Sequence, residues 1–77
     1  MRLDYFLYMA EAEGHDNLVN TRTARINAAV KDFVSAARAG KNINSGFVQE
    51  EILSNHNLDN ITEAEKDYIA RQVNNLY

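Results

Sequence analysis

Between Asp16 and Gly40 the apolar residues Val19, Ile26, Val30, Phe33, Val34 and Ala37 recur at the three- and four-residue spacing of one helix face, with no proline among them. A stripe this long predicts a helix over residues 17–39. Asp16 or Asn17 is its cap, Arg38 meets the negative end of its dipole, and Gly40 stands where a left-handed residue would end it. The polar run Asn20-Thr21-Arg22-Thr23 allows the start to slip to about residue 21. Such a helix needs apolar partners along one side, and the remaining segments must supply them.

They carry the same period. Leu3, Phe6, Leu7 and Ala10 fall on one face of a helix expected over residues 3–13, with Gly14 as its C-terminal cap. Phe47, Val48, Ile52 and Leu53 predict a short helix over 46–54, started by Ser45 after the turn Lys41-Asn42-Ile43-Asn44-Ser45-Gly46. Thr62 and Glu65 stand in capping-box relation ahead of Tyr68, Ile69, Val73 and Leu76, which predicts a helix over 62–76. The expected fold is all-α: a compact bundle of three to four short helices in a single domain spanning residues 1–77.

Composition narrows the class. With 45% hydrophobic and 25% charged residues in 77, the chain has the apolar content of a folded domain, although a core this small leaves self-association attractive. The absence of cysteine removes disulfides, thiolate metal sites and thiol nucleophiles. Asp4 breaks the apolar N-terminal stretch and Glu11 and Glu13 follow it, so neither a signal peptide nor a membrane anchor is expected, and the chain reads as cytoplasmic. Asn60-Ile61-Thr62 fits a glycosylation acceptor only formally, because no secretory signal gives it context.

The net charge of −3 is unevenly laid out: residues 1–16 carry −3, residues 17–45 carry +4 and residues 46–77 carry −4. The basic middle contains Arg22, Arg25, Lys31, Arg38 and Lys41, the candidate residues for a nucleic-acid-binding alternative. On a helix, however, Arg22 and Arg25 flank one edge of the apolar stripe while Lys31, Arg38 and Lys41 flank the other. Phosphate tracking favours a contiguous positive face, so covering the stripe and pairing with the acidic flanks is the simpler role. A helix-turn-helix is also disfavoured, since Glu63, Glu65 and Asp67 open the would-be reading helix, although Arg71, Gln72, Asn74 and Asn75 follow.

Residues 55–65, Asn-His-Asn-Leu-Asp-Asn-Ile-Thr-Glu-Ala-Glu, partly fit a calcium loop. The loop begins on a neutral amide and ends on Lys66 where a bidentate carboxylate is required, so a turn followed by a capped helix explains it better. His15 and His56 have no short metal-ligand spacing, and Ser35, Ser45 and Ser54 sit in no nucleophile motif. Glu50/Glu51 and Glu63/Asp67 read as solvated acid pairs. No enzyme, cofactor or metal is therefore expected.

What remains is protein recognition. Tyr5, Tyr8 and Met9 lie on the helix side away from Leu3, Phe6 and Leu7, and Tyr77 ends the sequence. Aromatic and methionine side chains supply contact area with few rotors to freeze, which makes these four the candidate partner-binding residues. A central helix in so small a bundle would instead bury both faces in its own core. The expected function is that of a non-enzymatic regulator, inhibitor or assembly adaptor, in a size class that suits viral or mobile-element proteins. Its partner is another protein, a second copy of the chain included, and nucleic acid is the alternative.

Overall fold

In the computed structural model, which describes residues 2–4, 6 and 19–77, the described residues are all-helical and contain no strand. These described residues form three helices: α1 (Val19–Arg38), α2 (Gly46–Asn55) and α3 (Glu63–Leu76). Within the helix expected over 3–13, residues 3, 4 and 6 carry no helical structure and the rest, with Tyr5, Tyr8 and Met9, lies outside the described residues.

α1 is the spine. Both α2 and α3 pack on it, and they do not closely approach each other. Ile26, Ala29, Val30, Phe33, Val34 and Ala37 form its buried stripe, meeting Ile52 and Leu53 of α2 and Ile69 and Val73 of α3 in one cluster. The radius of gyration of 11.5 Å is that of a folded chain of this length.

The connections are part of the core. Ile43, Leu58 and Ile61 are all fully buried although none lies in a helix. Conversely Phe47, placed on the apolar side of the expected 46–54 helix, is 76% exposed, and Tyr68 and Leu76 of α3 are also exposed. α2 is only ten residues long, and buried loop residues complete the core beside it. Gln49, not an apolar residue, turns inward there and donates from Nε2 to the Ile43 carbonyl at 3.0 Å. Burying that amide is tolerable because it is bonded.

Both long loops begin at helix ends of one design. At the end of α1 the Lys41 N–H reaches the Ala36 carbonyl and the Gly40 N–H reaches Ala37, with Gly40 at φ +91°. At the end of α2 the Leu58 N–H reaches Leu53 and the Asn57 N–H reaches Ser54, with Asn57 at φ +57°. These are Schellman ends, and the second is closed by the paired burial of Leu58 and Leu53. Ser45 holds the N-cap position of α2 in extended backbone, but its side chain makes no capping bond. In the same turn the Asn42 side chain accepts the Asn44 N–H at 3.1 Å.

Candidate functional site

The stretch 55–65 is spent on structure. Asn57 and Asn60 (φ +54°) supply left-handed backbone, Leu58 and Ile61 plug the core, and Thr62 starts α3. The capping box is complete: Thr62 Oγ1 accepts the Glu65 N–H at 3.1 Å, and Glu65 Oε1 accepts the Thr62 N–H at 3.0 Å. Arg22 of α1 then clasps the same carboxylate through Nε at 2.8 Å and Nη2 at 2.9 Å, and Nη2 also lies 3.4 Å from the Asp59 carbonyl. Hydrogen bonding from Arg22, with smaller help from the Thr62 N–H, holds the Glu65 carboxyl below its ordinary value, against the upward push of burial.

The basic residues of the middle segment are thus divided in use. Arg22 is tied to Glu65, and exposed Arg38 donates from Nη2 to the Leu76 carbonyl at 3.2 Å, joining the ends of α1 and α3. Arg25 is half-buried, its Nε itself buried with no hydrogen-bond acceptor among the described residues, while Lys31 and Lys41 are exposed. Lys31, Arg38 and Lys41 are interrupted by Asp32, which sits 2.6 Å from His56 Nε2 and latches the end of α2 to α1. Arg71 pairs with Asp67 one turn earlier on α3.

Of the candidate partner-binding residues only Tyr77 is described. It is 44% exposed at the end of α3, beside Leu76 at 51%. The exposed Tyr68 donates its hydroxyl to Asn27 Oδ1 at 2.8 Å, so its ring edge is fixed against α1.

Shallow grooves flank the helices among the described residues. One, of about 330 Å³, lies between α1 and α2 and is lined by Asp32, Ser35, Lys41, Val48 and Glu51 among others. That lining holds Ser35 with the carboxylates of Asp32 and Glu51 and no imidazole. Another, of about 290 Å³, lies along α3 between Phe6, Lys66, Asp67 and Ala70. Among the described residues no group of three or more His, Asp or Glu is placed to share a metal ion.

A further arrangement has no clear signal in the sequence. The N-terminal segment is gripped by two asparagines: Asn74 Oδ1 accepts the Leu3 N–H at 2.8 Å and Asn74 Nδ2 donates to the Leu3 carbonyl at 3.3 Å. On the opposite edge Asn44 Oδ1 accepts the Asp4 N–H at 2.7 Å and Asn44 Nδ2 donates to the Arg2 carbonyl at 3.0 Å. The two amides bond this arm as neighbouring strands would bond a strand between them. The Leu3 side chain is buried in the core, and Phe6 sets its ring against Phe33 at 5.7 Å and 64°, edge to face. Only the abundance of asparagine hinted at it.

No helix among the described residues is long and apolar enough to cross a membrane. The chain matches no protein-family model, no curated protein and no solved structure.

Proposed function

We propose that this chain is a small, non-enzymatic cytoplasmic protein, a compact bundle of three to four short helices that works by binding another protein as a regulator, inhibitor or assembly adaptor. The observation that carries the reading is the end of α3, where Leu76 and Tyr77 are exposed side by side while Val73 and Ile69, one and two turns earlier, are fully buried. An apolar and an aromatic side chain at one helix end, with the Arg38 guanidinium bonded to the Leu76 carbonyl, combine the residue types that dominate protein interfaces. Tyr5, Tyr8 and Met9 belong to the same proposal from their residue type alone.

Nucleic-acid binding is the second reading, favoured by exposed Lys31 and Lys41. It is the weaker one because Arg22 already has a carboxylate and Asp32 interrupts the remaining cations.

The test is affinity capture of the tagged protein from a lysate of the cells that make it, with and without nuclease, beside a Leu76→Ala/Tyr77→Ala variant. The expected result is one stoichiometric protein that survives nuclease and is lost by about tenfold or more in the variant, at unchanged helical circular dichroism. Recovery that vanishes with nuclease and depends on Arg25 and Lys31 would transfer the function to nucleic acid.

A further inference from the structure

Phe47, in the first turn of α2, is 76% exposed, more than any other large apolar side chain among the described residues. One turn on, at the four-residue spacing that puts two side chains on one helix face, stands the exposed Glu51, with exposed Glu50 beside it. α2 contains no lysine or arginine, and among the described residues neither glutamate is paired with a cation. Glu51 also lines the shallow groove between α2 and α1, together with Ala36, Val48 and Ile52. Ala36 and Val48 pack against the core but are only partly covered. Asp32 lines the groove from α1, its side chain 50% exposed beside His56, and Lys41 is the cation in that lining. Carboxylates from both helices therefore stand over a partly apolar floor, with an exposed ring one turn away.

We propose that Phe47 and the α1–α2 groove form one docking surface for a basic, apolar segment of another protein. An apolar side chain of that segment covers Val48 and Ala36 against the Phe47 ring, and a lysine or arginine near it meets Glu51 and Asp32. The groove, of about 330 Å³, is at the small end for ligand clefts, which suits side chains of a segment laid across it better than an enclosed small molecule. Charge selects the occupant. The lining sets Asp32 and Glu51 against Lys41, with Glu50 next to it, so a purely apolar partner would strip water from carboxylates and leave them without a counter-charge. Residues 7–18 of this chain contain Glu11, Glu13 and Asp16 and no lysine or arginine, so that counter-charge has to come from elsewhere. The inference rests on the protein-binding reading above and places a second contact away from Leu76 and Tyr77.

The experiment selects a phage-displayed library of random twelve-residue peptides on the immobilised full chain at physiological ionic strength. Recovered peptides are synthesised with a fluorophore, and their Kd is measured by anisotropy against the native protein and the Phe47→Ala and Glu51→Lys variants, both at exposed positions. The expected peptides join a lysine or arginine to leucine or an aromatic residue. Their Kd should rise about tenfold or more in each variant at unchanged helical circular dichroism, and a peptide with glutamate in place of its cation should regain binding to Glu51→Lys. Recovery of no peptide, of peptides without a basic residue, or of peptides that bind both variants as tightly as the native protein would overturn the proposal. Peptides weakened only by Leu76→Ala/Tyr77→Ala would overturn this surface while keeping the protein-binding reading. Loss of every nuclease-resistant partner in the lysate capture would remove that reading itself. A native dimer that Glu51→Lys dissociates in sedimentation would give the face to a second copy instead.

Discussion

Glu65 has three partners: a backbone N–H across the capping box, the Thr62 hydroxyl that caps its own N–H, and the Arg22 guanidinium. Its carboxyl is acidified in the folded state, chiefly by Arg22, so the associated stability is fully present above the unfolded value of 4.5 and is lost as pH falls through the lower folded value. Glu65→Gln keeps an oxygen for the Thr62 N–H but removes the charge. It should be less stable than the native protein by about 1 kcal/mol at pH 7, after allowing for solvent screening of a partly exposed pair. Urea midpoints at a series of pH values check this: the gap should close as the pH is taken below 4.5, and a gap that ignores pH would remove the charge from the account. The capping box itself was legible in the sequence because Thr62 and Glu65 are three residues apart ahead of an apolar stripe. The Arg22 contact was not, since nothing local brings residues 22 and 65 together.

At the scale of elements, the sequence placed helices where an apolar period was sustained and where glycine or a capping residue ended it. α1 carries the stripe from Ile26 to Ala37, and α1 stops at Gly40 with a left-handed residue. The period argument assigns core only to helical positions, so it passed over Ile43, Leu58 and Ile61, and it placed Phe47 on an apolar side that α2 exposes to solvent. It also had no means to see that Gln49 turns inward, because a buried amide depends on a partner six residues away in the preceding turn. The helix ends carry a prediction of their own. A Cβ added to Gly40 meets no atom within 4 Å, so Gly40→Ala is charged only for its left-handed backbone, about 1 kcal/mol. Asn57→Gly, at the equivalent place after α2, should be neutral or slightly stabilising. Thermal midpoints check both, at about 4–8 °C per kcal/mol for a domain of this size.

At the scale of the molecule, the described residues form a spine with two helices and an arm docked on it. Because Leu3 belongs to the same buried cluster as Phe33 and Val73, the arm should contribute to global stability and not behave as a loose end. Leu3→Ala is expected to cost about 2–4 kcal/mol, whereas Arg2→Ala, at an exposed position, should cost less than about 0.5 kcal/mol. Chemical denaturation distinguishes them, and a Leu3→Ala protein as stable as the native one would separate the arm from the core. The arm was hidden from the sequence because its helical spacing was real: Leu3 and Phe6 are three apart, which suits a helix face and equally suits an extended segment that buries one residue and returns a ring. What decides between them is the pair of asparagine amides, 40 and 71 residues distant.

Those amides read peptide groups and not side chains. The Arg2 and Asp4 side chains are exposed, on either side of Leu3, whose N–H and carbonyl are both bonded. A cation and an anion there, or two of either sign, leave the grip unchanged. The edge of the molecule can therefore be recharged without being refolded, and the electrostatic character it shows to its surroundings is free to vary independently of the architecture that supports it.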